Sequence, residues 1–567
     1  MISNGKNRRR SAVVVSAGIL AGSMAMQAQD FRQKYEPKVF EAGNLVVSRS
    51  VYDNNAKNVQ VGETIPPNCQ STQAGCPGTT GATNNGLYPE VWNNVLFDPS
   101  FGITSRIYLD QITPYGWLLN SVEVPNSLQR GIGKNSDQLV TSFSSKSEIA
   151  LHLSTDGKYL TFMGYVAPVN AIDASNANTP AVIDPTNPDG EEVFRAVAAV
   201  DAFGKFSFTE TNAYSGNNGR AAIWNNTDGA NVIYTVGNAG NGSNPQPDGV
   251  VLGAGAQILD PSSQPEAKQD PGMPTPVGSF SVTELGDKAD KIGKDDNYRG
   301  MTIFNNVLYL TKGSGSNGVN TVYFIDTTGI ACPNGVGLPA ASATLPATPL
   351  VYDPSKLEKD GLPPNICILA GFPSVSNKTA NPVNFPQGLW FADANTLYVA
   401  DEGDGFVSDN TLYTHAAAQT NAGLEKWVFN AASKTWQLAY TLQAGLKLGV
   451  PYSVHGYPTG NNAATGLPWA PAAGGLRNIT GKVNGDGTVT VWAITSTVSG
   501  AGDPGADPNK LVAITDRLKS TSAPKGEQFV TVREAGFGEV LRGVSFAPAA
   551  EASNGHHGHD GAHGWGW

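Results

Sequence analysis

One position recurs along the chain with side chains that could act together on a charged ligand. It directly precedes a short apolar run in each of six repeated segments, where it is Glu148, Arg220, Arg299, Gln387, Arg477 and Arg542. Arginine suits carboxylate and phosphate groups because its planar guanidinium donates two parallel hydrogen bonds. If the repeats converge, these side chains form a collar that attracts a small anion. The alternative is that each arginine bonds to carbonyl or carboxylate groups and locks neighbouring repeats together.

Acidic residues provide a second candidate chemistry. Residues 401–405 read Asp-Glu-Gly-Asp-Gly, an oxygen-rich turn sequence of the kind that calcium prefers. The candidate ligands are Asp401, Glu402, Asp404, Asp295 and Asp296, with Glu148 and Asn384 as further oxygen donors. The spacing does not match an EF-hand loop, and Asp-Gly pairs also form ordinary turns. A calcium site and a plain turn are both open interpretations.

Histidines offer a third set of candidates. His455 lies in a loop sequence and is the candidate general base, the alternative being an ordinary surface histidine. His152 alternates with leucines, which predicts a packed side chain. The Gly/His-rich residues 550–567 predict a flexible tail, whose imidazoles either bind zinc, nickel or copper weakly or have no metal role. These imidazoles belong to His556, His557, His559 and His563.

The elements that must position these residues are clearest between residues 384 and 443. Four short runs rich in β-branched and aromatic residues, at 385–391, 396–401, 423–429 and 435–442, are separated by turn residues. That pattern predicts a four-stranded antiparallel meander. The segment FPQGLWFADANTLYVADEGDG, followed by GLEKWVF, resembles an NHL repeat. The resemblance covers about one repeat and implies one blade of a β-propeller.

The remaining copies of this pattern predict the whole architecture. Similar strand pairs begin near residues 149, 221, 300 and 478, and a last half-copy at 543–546 has no second strand after it. We expect the N-terminal run at 44–52 to supply that strand, which closes the ring without an open sheet edge. The prediction is an all-β, six-bladed propeller over residues 44–549, with a seventh blade if a loop contains one.

Loop lengths indicate which face of the propeller carries function. The turns between strands one and two, and three and four, are mostly short, whereas the connections on the opposite face are long. Elaborated loops over a rigid scaffold commonly form binding sites. The predicted partner is therefore a small anion, or an extracellular protein or glycan, at this face and at the channel mouth; neutral loop insertions are the alternative.

Six-bladed propellers with similar architecture include regucalcin- and gluconolactonase-like lactonases and the calcium-binding β-propeller phytases. This similarity implies an alternative function, a calcium-dependent hydrolase that uses the channel carboxylates. No nucleophile-elbow, phosphate-loop or His-Glu-x-x-His motif occurs in the sequence. We therefore place ligand binding before catalysis and leave the question of an enzyme open.

The N-terminus and the cysteines predict an exported protein. Basic residues up to Arg10 precede an apolar segment and small residues, which is typical of a cleaved signal peptide over residues 1–28; an uncleaved membrane anchor is the alternative. We expect a periplasmic or secreted protein, with local disulfides Cys69–Cys76 and Cys332–Cys367. A net charge of -11 and the lack of a basic tract exclude nucleic-acid binding. With a mean hydropathy of -0.22, no membrane-spanning segment is expected in the mature chain.

Overall fold

The structure is a computed structural model that describes residues 38–550 with internal gaps. Those gaps are residues 59–60, 63, 66–81, 84–85, 90–102, 134–135, 144, 172–192, 212–213, 215–217, 239–254, 262–277, 281–296, 315–317, 348–365, 378, 464 and 502–503. The predicted signal peptide, the pair Cys69 and Cys76, and nearly all of the predicted tail lie outside the described residues.

Six antiparallel sheets, mostly of four strands, form the blades of a propeller, which confirms the predicted fold class. Blade 1 contains His152–Leu153, Tyr159–Tyr165, Arg195–Asp201 and Phe206–Thr211, and blade 2 contains Gly219–Asn225, Val232–Gly237, Ala256–Leu259 and Gly278–Phe280. Blade 3 contains Met301–Phe304, Val307–Lys312, Thr321–Ile325 and Ile366–Leu369, with Val336–Gly337 added in parallel. Blade 4 contains Pro386–Asp393, Thr396–Asp401, Gly423–Asn430 and Thr435–Leu442, and blade 5 contains Ala472–Val483, Thr488–Val498, Lys510–Arg517 and Val530–Glu534.

Blade 6 closes the ring with strands from both ends of the chain. It contains Glu539–Phe546, Leu45–Val51, Thr104–Ile112 and Leu118–Glu123, and Thr141–Ser142 pairs with its third strand. The closing pair is antiparallel, with Val47 opposite Val544. This confirms the predicted pairing of the two terminal segments.

Both faces of each blade are buried against neighbouring blades, as the second strand of blade 4 illustrates. Side chains alternate across a sheet, so Leu397 and Val399 pack in the cluster shared with blade 3. Tyr398 and Ala400 point the other way, into the cluster shared with blade 5. The six residues Thr396–Asp401 are therefore all buried, and burial on both faces explains the nearly continuous apolar run in the sequence.

A buried polar network joins blades 4 and 5. The ammonium of Lys426 lies 3.0 Å from the carboxylate of Asp516, and both side chains are inaccessible to solvent. The hydroxyls of Tyr398 and Tyr440 donate to the same carboxylate at 2.5 and 2.8 Å. Burial, together with Asp516, raises the pKa of Glu527 beside this network to about 7.

Adjacent first strands touch at the propeller axis through glycine. Gly300 follows Arg299, and a Cβ placed on it would lie 2.1 Å from the carbonyl oxygen of Gln387 in the next blade. One blade further on, a Cβ on Gly388 would lie 2.5 Å from the carbonyl oxygen of Arg477. Backbone oxygens cannot give way to a side chain at these distances. The first strands therefore form a tight ring of fixed spacing around the axis.

Hydroxyl groups on second strands add further bonds between blades. Each donates to a first-strand or adjacent carbonyl oxygen of the following blade, at 2.5–2.7 Å. The pairs are Thr161 with Ala222, Thr311 with Gln387, and Ser48 with Ile149. Neighbouring blades are thus held together at these positions without the repeated arginines.

A short helix, which the sequence did not predict, lies inside the loop after the second strand of blade 4. It covers Leu412–Ala418, where a polar loop was expected. Leu412 and Ala416 are buried, and they pack with Leu467, Ala472 and Val498. A seven-residue helix has little stability alone, so these tertiary contacts determine it. The remaining described helices are the 3-10 turns Ala56–Asn58 and Pro504–Ala506.

The disulfide Cys332–Cys367 is present, as predicted, and joins a loop of blade 3 to its outer strand. Among the described residues, no helix has the length and apolar character needed to cross a membrane.

Candidate functional site

Four of the repeat-equivalent residues lie at or just before the start of first strands, whereas Arg477 and Arg542 lie inside the longer first strands of blades 5 and 6. The contacts of Gly300 with Gln387 and of Gly388 with Arg477 show that equivalent residues of neighbouring blades lie at the same level of the ring. With Glu402 they form what we call the axial cluster: Glu148, Arg220, Arg299, Gln387, Glu402, Arg477 and Arg542. All seven residues are buried, and none is more than 7% exposed. The predicted convergence therefore occurs, but the side chains lie beneath the surface of the channel mouth.

In one part of the axial cluster, positive and negative side chains pair with each other. The Nε of Arg477 lies 3.2 Å from the carboxylate of Glu402, and both residues are buried. Lys146 lies 4.0 Å from the other oxygen of that carboxylate. Burial alone would raise the pKa of Glu402. Its neighbours nevertheless lower that pKa to about 2; they are Lys146, Arg477, Arg299 and Gln387. Glu402 is therefore a fixed negative charge in this site.

A second part of the cluster is rich in positive charge. One terminal nitrogen of Arg220 donates to the side-chain oxygen of Asn297 and to the carbonyl oxygen of Tyr298, the latter at 2.6 Å. Both acceptors are uncharged, and the Nε–H of Arg220 has no acceptor among the described groups. Burial, followed by the nearby Arg299, lowers the pKa of Arg220 well below its usual value. Such a group is stabilised by an added negative charge.

Arg299 reaches two serine hydroxyls. Its Nε donates to Ser314 at 3.0 Å and its Nη1 to Ser147 at 2.7 Å. A hydroxyl group carries no charge and can rotate, so it can be replaced by an anion oxygen or can itself donate to one.

Glu148 is held in place by four hydrogen bonds. One carboxylate oxygen accepts from the Thr141 hydroxyl at 2.6 Å and from the Ser142 N–H at 3.0 Å. The other accepts from the Tyr165 hydroxyl and from the Asn218 amide. The glutamate at this repeat position therefore anchors the segment that enters blade 1.

That segment, Ser145–Glu148, lies across the axis, and we call it the strap. It follows blade 6 in the chain, yet its hydroxyls reach Asn218 at the entrance to blade 2 (3.1 Å) and Arg299 at the entrance to blade 3. Lys146 extends further, towards Glu402 at the end of the second strand of blade 4. The strap therefore lies against Arg299 and Glu402 of the axial cluster.

Lys146, Ser147 and Asn218 border the site but were not predicted from the sequence. For Lys146 and Ser147 the available signal was the polar run at 144–147, immediately before the repeat position Glu148 and without strand character. Glu402 was identified only as a possible metal ligand, whereas the structure makes it the partner of Arg477.

The three described candidate calcium ligands each have separate protein partners. Asp401 accepts from two backbone N–H groups at 2.6 and 2.8 Å, and burial raises its pKa to about 7. Asp404 pairs with His415 at 2.6 Å, and Glu402 pairs with Arg477. The structure does not bring these three carboxylates together as one ligand set. Calcium binding stays a prediction. The other two candidate calcium ligands, Asp295 and Asp296, lie outside the described residues, as do the four tail histidines.

Among the described residues, one group of three potential metal ligands is close enough to share an ion. It consists of Asp326, Cys332 and Cys367. The two sulfurs are joined in the disulfide and offer no thiolate, so this group does not form a metal site.

His455 is exposed and borders a cavity of about 380 Å³ on the elaborated face. In the same lining, Lys510 pairs with Glu534 at 2.8 Å and lies over the ring of Tyr452 at 4.1 Å. This cavity is off the axis, between blades 5 and 6, so the ring does not unite His455 with the arginines. Its role as a general base stays a prediction. His152 is partly buried, and burial lowers its pKa to about 4.

No protein-family model and no curated protein matches this sequence. Among solved structures, an apocarotenoid oxygenase of Synechocystis is 9% identical, over 91% of this chain and 94% of its own, with a TM-score of 0.31. A second variant of that enzyme gives a TM-score of 0.30. A quinonprotein alcohol dehydrogenase-like protein of Bacteroides thetaiotaomicron is 10% identical, over 78% of this chain and 85% of its own, with a TM-score of 0.25. Similarity at this level says nothing about function.

Proposed function

We propose that this protein is an exported propeller that binds a small anionic ligand at its axial cluster. The observation that carries the proposal is the buried Arg220, which lies near Arg299 and bonds only to uncharged groups among its described contacts. The charges of Glu148 and Glu402 favour the charged form of Arg220, but neither carboxylate forms an ion pair with it among the described residues. A buried charge that lacks a directly paired counterion is costly, and a bound anion reduces that cost.

The overall charge of the site supports the same proposal. The described axial cluster contains four arginines and two glutamates, and Lys146 adds a further positive charge at its edge. Low-dielectric protein around such a site concentrates the field and attracts anions. This attraction acts locally, although the whole chain carries a net charge of -11.

The competing structural interpretation is that the arginines lock the blades. Arg220 does bond to the entrance of blade 3, and Arg477 pairs with Glu402 of blade 4. However, glycine contacts and second-strand hydroxyl bonds hold blades 1 and 2, blades 3 and 4, and blades 4 and 5 together without an arginine. Locking therefore does not require a guanidinium at every repeat position.

The test is thermal unfolding of the protein and of the Arg220→Gln variant, with and without anions. Phosphate and sulfate, compared with chloride at equal ionic strength, should raise the melting temperature of the protein. We expect Arg220→Gln to lose that increase, whereas Arg130→Gln, at an exposed position, should keep it. A fall in melting temperature for Arg220→Gln, with no anion effect on the unchanged protein, would establish the lock instead.

The calcium-dependent hydrolase remains the alternative proposal. It is separated from anion binding by melting the protein in EDTA and then in calcium. Stabilisation by calcium alone, reversed by EDTA, would favour the alternative and direct attention to Asp401 and Asp404.

A further inference from the structure

We infer that the ligand of the axial cluster is a compact oxyanion, of the size of inorganic phosphate or sulfate, held in an enclosed site beneath the strap. This inference rests on the proposed function and narrows its ligand class. Sugar acids and phosphate esters, which a collar open at the channel mouth would accept, are excluded by the enclosure.

The wall of the site formed by blades 3, 4 and 5 cannot widen. The backbones that carry Arg299, Gln387 and Arg477 are in direct contact through Gly300 and Gly388, with no room for even a methyl group. Thr311 adds a hydrogen bond of 2.5 Å to the carbonyl oxygen of Gln387. A larger ligand would have to break these contacts, because close-packed protein interiors yield little.

The strap closes the end of the axis where the arginines lie. Ser147 bonds to Arg299, Ser145 bonds to Asn218, and Glu148 is fixed by its four hydrogen bonds. The strap is therefore anchored on the entrances to two blades beyond its own. A substituent on the ligand would have to pass through it, whereas a small ion needs only a brief opening.

Arg220, Ser147 and Ser314 provide hydrogen-bond donors close to the two neighbouring arginines Arg220 and Arg299. The Nε–H of Arg220 has no acceptor among the described groups, and the residue is only 4% exposed. The hydroxyls of Ser147 and Ser314 lie against Arg299 and can turn to donate to an oxygen. Donors from several separate segments of the chain suit a tetrahedral oxyanion, which presents oxygens on every side.

The experiment is isothermal titration of the protein, dialysed free of phosphate and sulfate in Tris buffer, at constant ionic strength. Inorganic phosphate and sulfate are titrated first, followed by glucose 6-phosphate and gluconate. We expect saturable binding of at least one inorganic ion and at least tenfold weaker binding of both organic anions. Equal or tighter binding of glucose 6-phosphate would overturn the enclosure but leave anion binding intact. Absence of binding by all four would overturn the proposed function itself.

Variants test the residues assigned to the site. Arg220→Lys keeps a positive charge but lacks the Nε–H donor, and we expect about tenfold weaker binding of the inorganic ion. The exposed Arg130→Lys is the matched control and should bind as the unchanged protein does. Unchanged affinity in Arg220→Lys would show that the Nε–H of Arg220 does not bind the anion.

The strap is tested by Ser147→Ala, which removes its bond to Arg299. We expect the affinity for glucose 6-phosphate to rise relative to that for phosphate, because the opening of the strap becomes easier. An unchanged ratio would show that the strap does not select the ligand. The unfolding midpoint in urea, measured in parallel, shows whether the variant is folded.

Discussion

Removal of the negative charge of Glu402 gives the sharpest prediction about the axial cluster. In Glu402→Gln the shape of the side chain is preserved, but Arg477 loses its buried counterion. The pKa of Glu402 is about 2 in the folded protein, against an ordinary value of 4.5. Each unit corresponds to about 1.4 kcal/mol, so the difference of about 2.5 means that the surroundings stabilise the carboxylate by roughly 3–4 kcal/mol. Breaking a buried ion pair costs roughly 3–5 kcal/mol, which agrees with this value.

The pH dependence of that loss follows from the direction of the pKa shift. A carboxyl group with a lowered folded pKa stabilises the protein above its unfolded pKa, and this contribution disappears as the pH falls towards the folded value. The difference between the protein and Glu402→Gln should therefore be complete at pH 7. At pH 3 this difference in stability should be less than half of its value at pH 7.

The assay is urea unfolding followed by tryptophan fluorescence at pH 7 and pH 3, in buffer without phosphate or sulfate. The double variant Glu402→Leu with Arg477→Met is the control, because it removes both charges and should lose much less stability than two independent losses would predict. A difference below about 1 kcal/mol at pH 7, or one that is equal at both pH values, would refute the assigned role of Glu402. We also expect Glu402→Gln to bind the inorganic anion more tightly, since the site becomes more positive.

Two further predictions concern the network between blades 4 and 5. Lys426→Met should lower the free energy of unfolding in urea by about 3–5 kcal/mol, because it leaves the charge of Asp516 buried without its ammonium partner. The double variant Lys426→Met with Asp516→Leu should lose clearly less stability. Similar losses of stability in the two variants would contradict the pairing. The raised pKa of Glu527 means that the folded state holds a proton which the unfolded state has released, so its contribution to stability should decline as the pH rises from about 5 to about 7. Glu527→Gln should reduce that decline, which is no steeper than about 1.4 kcal/mol per pH unit, and an unchanged pH profile would count against this assignment.

The architecture was largely predictable from the sequence because its signals are local. A propeller blade is a set of neighbouring strands joined by short turns, so the runs in residues 384–443 identify one blade without distant information. The half-copy at 543–546 lacked a partner strand, and this absence indicated the pairing with the N-terminal strand. The disulfide Cys332–Cys367 was predictable for the same reason, since both cysteines border one loop.

The helix Leu412–Ala418 was not predictable in this way. Its sequence has no strong helical pattern, and its cap residue Thr411 makes no side-chain capping bond. The segment is helical because Leu412 and Ala416 fill a space beside blade 5. Only the assembled fold provides that space.

The sequence by itself indicated six repeats, with a seventh left open, and it determined the closure of the ring and the residue type at each repeat position. Only the tertiary structure decided that these side chains are buried, that Glu402 pairs with Arg477, and that the strap covers them. Those partners are 75 residues apart for Glu402 and Arg477, and 152 apart for Ser147 and Arg299. A strand can be recognised from a few consecutive residues, because its side chains alternate between the two faces of the sheet. Contacts across the axis leave no such pattern, since the ring brings together residues that no local interaction connects.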